Sequence, residues 1–482
     1  MRKEITMSLN LMMPGFPKYQ PRDLQEYFGY DNLFREFGNV EFATLLTLGD
    51  IGVIPPNDIA LLTPEVMEKI LAIPTTEVVK IEREITKHDI RAWIYLANQI
   101  LPEPLRKWLH ILLTSYDPLD TSRILQFLKA YQHVVDPKLR QVMAIFVSLI
   151  ERYARTLQIG RTHGQHAIPI TVGFWLATIL NRVFTNAKKM ELFSHELVGK
   201  ISGAVGAYNA QVGLGIEARC GEFTFERRVL ERLGLMPAVI SSQILQPEPL
   251  AYFLFAATMT SASFGQLGRD CRQLMRTEIA EIGEPFSAEQ SGSSTMAQKR
   301  NPINFEHVEG LHIDTKNEFG KVQDTLISDH QRDLVGSPVA RKFPTILINL
   351  TCQLDTLLRK DPETGRPFLE RMTVNEEACQ RNFNMSAHTI MAEPLYIALQ
   401  MAGFQGDAHK LVNHTLVPVA TRDHRYLIDT TIGLAQDNPD LAEALKRIPT
   451  EVIDLLKHPE TYIGKAPAKA LEIANAVKTY LG

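Results

Sequence analysis

Three short segments bring together residue types that handle protons and anions. Residues 288–302, AEQSGSSTMAQKRNP, place Gly292, Ser293 and Ser294 ahead of Lys299, Arg300 and Asn301, and Pro302 closes the stretch. Glycine frees the backbone, hydroxyls and amides donate to an anion, and lysine adds charge, which is the equipment of a lid. On residue types alone, a polar loop of this kind is more often a solvated surface segment. Gly160-Arg-Thr-His-Gly-Gln-His-Ala167 sets His163 and His166 beside Thr162 and Gln165. Histidine as a residue type, with an ordinary pKa of ~6.5, suits proton transfer near neutrality. The His-x-x-His spacing also raises a metal site. No carboxylate or cysteine stands nearby at matching spacing, so no metal is expected. Finally, Thr86-Lys-His-Asp89 and Trp108-Leu-His-Ile-Leu-Leu-Thr-Ser-Tyr-Asp117 contribute His88, Asp89, Thr114 and Ser115, fragments common at helix starts and weak by themselves.

Helical periodicity dominates the elements that must position these residues. Asp136-Pro137 reads as a helix start, with Asp as N-cap and Pro at the first helical position. Leu139, Val142, Met143, Phe146, Leu149, Ile150, Tyr153 and Leu157 then recur at three- and four-residue steps. Beyond Pro169, Val172, Leu176, Ile179, Val183, Ala187 and Met190 share one face. A proline-free run from about Leu250 to Ile282 carries small inward candidates, Ala257, Ser261, Gly268 and Cys271. Helices of ~30 residues reach ~45 Å, and several in one chain imply an elongated bundle. Alternating strands are scarce, so the predicted class is all-α. Breaks in pattern divide the chain into a helical N-terminal domain (1–113), a central long-helix domain (114–366) carrying the loop 288–302, and a shorter-helix C-terminal domain (367–482).

Composition narrows the classes. Lys+Arg number 51 against Asp+Glu 55, a net charge of -4, which lacks the basic balance of a nucleic-acid binder. Cys220, Cys271, Cys352 and Cys379 stand far apart with no zinc or disulfide spacing, as in a reduced cytoplasmic protein. The N-terminus makes a poor signal peptide, and no window approaches ~20 uninterrupted apolar residues, so no membrane association is expected.

The loop resembles the signature of the fumarase/aspartase superfamily: Gly292, Ser293, Ser294, Met296, Lys299, Asn301 and Pro302 match it, while Ala297 replaces a signature proline. The Thr162-His163 segment resembles the Thr-His element of the adenylosuccinate lyase family, and His88-Asp89 and Thr114-Ser-Tyr-Asp117 resemble two further elements, with Tyr116 where the family usually has a small residue. Lys200-Ile-Ser-Gly-Ala-Val-Gly-Ala207, Ser241-Ser-Gln243 and His330–Arg341 are also similar to family segments, with Pro338 in place of a common hydroxyl residue. Lys18-Tyr19 stands where the family often has Arg-Tyr.

The resemblance implies an anti β-elimination, cleaving adenylosuccinate and the related succinylated imidazole carboxamide ribotide to fumarate in purine biosynthesis. Ser293 would be the base and His163 the acid. Lys299, Asn301, Thr114 and Ser115, with Thr162 nearby, would hold the succinyl part, and Gln243 would orient it. Glu306 would orient His163. His88, Asp89, Arg332, Ser337, Arg341, Lys18 and Tyr19 would face the nucleotide and its phosphate. No cofactor is implied. The family builds each site from three subunits of a homotetramer, so a tetramer is expected. A related lyase or cycloisomerase acting on another dicarboxylate is the alternative within the superfamily, and a non-catalytic helical scaffold the alternative outside it.

Overall fold

The computed structural model describes residues 20–286, 296 and 298–482, so Lys18, Tyr19, Gly292, Ser293, Ser294 and Ala297 lie outside the described residues. The chain forms two compact units, each assembled from separated stretches. The first takes in the described residues up to Leu139 with Thr185–Gly265 and Gly310–Thr356; the second comprises Arg140–Phe184, Gln266–Glu309 and Leu357–Gly482.

Seven long helices dominate the described residues as far as Leu358: α1 (Tyr30–Asp50), α2 (Tyr116–Ala130), α3 (Asp136–Tyr153), α4 (Val172–His195), α5 (Glu248–Leu274), α6 (Ile303–Asp324) and α7 (Pro344–Leu358). The stripe predicted for α4 is the buried one: Val172, Leu176, Ile179, Val183, Ala187 and Met190 are all essentially inaccessible. In α5, Ala257, Ser261 and Cys271 are fully buried. Gly268 permits a close approach there, since a Cβ would stand 2.5 Å from the Phe305 carbonyl oxygen of α6. α5 stops at Leu274, short of Ile282, and Ile282–Gly283 pairs antiparallel with Thr373–Val374. Its 27 residues still span about 40 Å. In the first unit α1 packs along α2, with Phe28 edge-on to Phe127 at 5.2 Å.

Two local readings change. The chain does not begin a helix at Asp136. α2 runs into α3 through a single π-turn, Tyr131–Val135, and the Asp136 N–H donates to Tyr131 O. A proline at 137 offers no N–H and crowds the carbonyl four residues back, and the wider turn absorbs both effects without ending the helix. Nor does helix continue to Leu157. It ends at Tyr153, and an antiparallel hairpin follows: β1 (Leu157–Thr162) and β2 (Gln165–Thr171), irregular between Ile159 and Arg161. The described strands are few and short, so the fold is all-α as predicted. The C-terminal helices, from Glu376–Asn384 to Ala466–Leu481, include a core of their own around Leu395, Leu399, Leu416 and Leu441. No described helix is long and apolar enough to cross a membrane.

Candidate active site

In the first unit the segment preceding α2 is tied down from both sides. Glu41, a carboxylate buried in the apolar face of α1, accepts from the His110 backbone N–H at 3.0 Å and meets its ring Nδ1 at 2.6 Å. His110 and Leu112 both have positive φ, so the chain turns sharply before Thr114. On the other side Asp117 accepts from the Thr114 N–H (2.7 Å), the Ser202 N–H (3.0 Å), the Gly203 N–H (3.2 Å) and the Lys200 ammonium. Asp117 and Lys200 are both fully buried. The Ser115 side chain makes no capping hydrogen bond, which leaves its hydroxyl facing no helix N–H.

The glycine-rich segment after Lys200 is held by Glu226, which accepts from the Ile201 N–H at 2.7 Å and the Tyr208 hydroxyl at 2.7 Å. Burial pushes the Glu226 carboxyl above its ordinary range. Gly206, with φ +73, lies so close to the chain at Ser241 that a Cβ would fall 2.1 Å from the Ser241 carbonyl oxygen. The contact brings Gln243 to the same place: its Nε2 donates to Ala204 O (2.9 Å) and its Oε1 accepts from Arg332 Nη1 (2.7 Å).

The start of α2, thus supported, lines a cavity of about 560 Å³ within the first unit. Thr114, Ser115, His88, Asp89, Arg332, Ser337 and Arg341 all line it, so the structure gathers seven of the sequence-predicted residues around one space. Gln243 reaches it through Arg332. His88 Nδ1 lies 3.3 Å from Asp89 Oδ1, and the Tyr30 hydroxyl donates to Asp89 Oδ2 at 3.2 Å. Burial, and then the Asp89 carboxylate, raise the Tyr30 phenol, which keeps it a donor. Asp333 turns back on its own loop, accepting from the Asp329 N–H, the Ser328 hydroxyl and the Val335 N–H, which hold its carboxyl below the ordinary range. Asp120 also lines the cavity; burial raises it, against the pull of Arg123. Neither Arg332 nor Arg341 has a carboxylate within ion-pair distance among the described residues.

The second unit holds Thr162, His163, Lys299, Asn301 and Glu306. His163 and Gly164, with φ +54 and +76, form the two-residue tip of the β1–β2 hairpin, and His163 is exposed. Positive φ at both positions is the turn that matches strand twist. The hairpin is anchored by Glu281, fully buried, which takes Arg161 in a forked pair (2.6 and 3.1 Å) and also accepts from Gln158 and Asn382. His166 Nδ1 meets Ser386 Oγ at 2.8 Å, and burial lowers the imidazole below its ordinary pKa. Around residues 287–302 the flanks are tied together: Glu284 accepts from the Asn304 N–H (2.8 Å) and the Phe305 N–H (2.9 Å). Lys299 and Glu306 are exposed, and no hydrogen bond joins Glu306 to His163 within one chain.

Among the described residues no group of three or more His, Cys, Asp or Glu side chains could hold a metal ion. Of the positioning residues, Glu41, Tyr30 and Glu281 have no place among the sequence motifs, and Lys200 enters only as the first residue of a family-like segment, without a role. Two carried a signal: Glu41 interrupts the apolar run Phe37–Leu48, and Lys200 opens a stretch of small and apolar residues.

Residues 64–313, just over half of the chain, match the lyase family. Over 454 residues the chain is 32% identical to the adenylosuccinate lyase of Pyrococcus horikoshii, covering 93% of this chain and 94% of that one. The chain belongs to this lyase family. It is an enzyme of the fumarase/aspartase superfamily, a carbon–nitrogen lyase that releases fumarate. The N-acetyl-S-(2-succino)cysteine lyase of Dickeya dadantii is another relative, 28% identical over 90% of both chains. The fold agrees with the crystal structure of a fumarate lyase from Mesorhizobium sp. BNC1, with a TM-score of 0.78 at 22% identity, covering 96% of this chain and 100% of that one.

Proposed function

We propose that this lyase cleaves adenylosuccinate, and the related succinylated imidazole carboxamide ribotide, by anti β-elimination to fumarate and the free nucleotide. The observation that carries the reading is the cavity wall of the first unit, where Arg332 and Arg341 stand without carboxylate partners beside Ser337 and His88. Two unpaired guanidinium groups suit a phosphate, which a nucleotide substrate brings and a simple amino acid does not.

In the proposed reaction Ser293 takes the proton from the carbon beside a succinyl carboxylate. The electron pair delocalises into that carboxylate and then forms the new double bond as the C–N bond breaks. His163 gives a proton to the departing nitrogen. Thr114, Ser115, Lys299 and Asn301 hold the two carboxylates, so charge developing on them meets donors already in place. Thr162 and Glu306 flank and orient His163, and Lys18 and Tyr19 complete the phosphate side. The site is assembled from neighbouring subunits of a homotetramer. Supporting this, Tyr252, Phe255 and Met259, at helical spacing on α5, leave large apolar side chains exposed in one chain.

A spectrophotometric assay with purified protein tests the substrate: adenylosuccinate should yield fumarate and AMP, whereas argininosuccinate and aspartate should not react. Equal turnover of argininosuccinate or aspartate overturns the nucleotide reading. The Dickeya relative motivates a second arm with N-acetyl-S-(2-succino)cysteine. Faster turnover of that thioether than of adenylosuccinate would reassign the substrate to a succinylated thiol.

A further inference from the structure

Arg332 is held from two sides in the cavity wall, and one of the residues that hold it, Tyr116, departs from the family pattern. Its Cζ lies 3.5 Å from the centroid of the Tyr116 ring, while Gln243 Oε1 takes one of its N–H groups at 2.7 Å. Gln243 is itself fixed by Ala204 O. The guanidinium plane therefore lies against an aromatic face, and the glutamine sets its rotation within that plane. Tyr116 is the first residue of α2, only 8% exposed, so the ring is itself held. Arg123, whose Cζ lies 5.8 Å from the same ring, differs in one respect: it pairs with Asp120. Arg123 is held in a direct ion pair, whereas Arg332 feels the Asp120 carboxylate only from beyond ion-pair distance. The Tyr116 hydroxyl makes no hydrogen bond among the described residues, so the ring and not the phenol is what the arrangement uses.

Resting on the nucleotide reading above, we propose that Tyr116 is a specificity-determining residue, holding Arg332 as a fixed receptor for the phosphate of the substrate. An arginine on a flexible stem must be ordered each time an anion binds, and that ordering weakens affinity; one already stacked and hydrogen-bonded loses less. Stacking also leaves the guanidinium edge, with its remaining N–H groups, as the part offered to the ligand. Tyr116 lies beside Ser115 in sequence, so the same helix start carries a hydroxyl proposed for the succinyl part and the ring that aims the phosphate receptor. A small residue at 116 would leave Arg332 with Gln243 alone.

The experiment compares wild type, Tyr116→Phe and Tyr116→Leu by calorimetric binding of AMP and of adenosine, with adenosine lacking the phosphate, and by steady-state cleavage of adenylosuccinate. Tyr116→Phe should match wild type within about twofold. Tyr116→Leu should weaken AMP and raise KM about 3- to 30-fold, the range of a cation–aromatic contact, with kcat and adenosine affinity nearly unchanged. AMP binding at the wild-type level in Tyr116→Leu overturns the proposal, as does an equal loss of AMP and adenosine, which would place the ring against the base. If Tyr116→Leu does not fold, Tyr116→Met decides instead. It fills the same space without an aromatic face and leaves Arg332 in place, so wild-type AMP affinity in it refutes the proposal and an AMP-selective loss sustains it. Wild-type protein that neither binds AMP nor cleaves adenylosuccinate removes the nucleotide reading, and this inference with it; variants that behave alike while wild type is active remove this inference only.

Discussion

Histidine at the first central position of a two-residue hairpin turn is held where few L-residues sit comfortably. His163 has φ +54 and is followed by Gly164 at φ +76. Asparagine, aspartate and histidine tolerate this region better than other non-glycine residues, and asparagine-glycine is the pair most favoured for such a turn. If the turn were only structural, asparagine would serve it at least as well as histidine. His163→Asn thus separates the two roles. The expected outcome is an unchanged melting temperature and a rate lower by roughly 10²–10⁴, the usual loss when a positioned acid is removed. A wild-type rate would remove His163 from the proposed acid role, and a large fall in melting temperature would mean that the ring, exposed as it is, supports the fold. The strong anchoring of β1 by Arg161 and Glu281 indicates that the tip is placed by the hairpin and not by contacts of His163 itself.

At the scale of elements, what sequence reading reaches is set by distance along the chain. The α4 stripe is legible because its period needs only neighbours three and four residues apart, and all six predicted positions are buried. Pro137 misleads because Asp-Pro is a common opening of a helix, whereas here a π-turn spends one extra residue to carry the preceding helix past it. The β1–β2 hairpin escapes notice because Leu157 continues the spacing of α3 and its turn residues are His-Gly instead of Asn-Gly. The cavity residues were recognisable one motif at a time, but their supports were not: Lys200 is 83 positions from Asp117, and Glu41 is 69 from His110. A lysine among small residues announces that something must pair with it without naming the partner. The Lys200–Asp117 pair has a measurable signature. With both side chains fully buried, Asp117→Asn leaves an unanswered ammonium and should cost about 3–5 kcal/mol in denaturant unfolding. Adding Lys200→Met removes that stranded charge, so the double variant should be more stable than Asp117→Asn alone. Equal or lower stability of the double variant would show that Asp117 acts through the Thr114, Ser202 and Gly203 N–H groups and not through the lysine.

At the scale of the whole molecule, the proposed acid and the proposed phosphate receptor belong to different compact units of the chain, His163 to the second and Arg332 to the first. Tyr252 and Phe255 of α5 are about half exposed, and they are the surface that the proposed oligomer would cover. If each site takes His163 and Ser293 from different subunits of a closed oligomer, two dead proteins can make a live one. His163→Gln subunits carry an intact Ser293, and Ser293→Ala subunits carry an intact His163. In an equal mixture refolded together, a site draws its histidine donor and its serine donor independently, each intact half the time. About one quarter of the sites should then hold both wild-type residues, and activity should return to about that fraction of wild type. Had both residues come from one subunit, every site in the mixture would lack one of them, and no activity would return however thoroughly the subunits mixed. Hybrid formation can be followed with a charge or affinity tag on one variant. A refolded mixture that contains hybrids and remains inactive would rule out the shared site while leaving the individual roles of His163 and Ser293 to stand on the single variants.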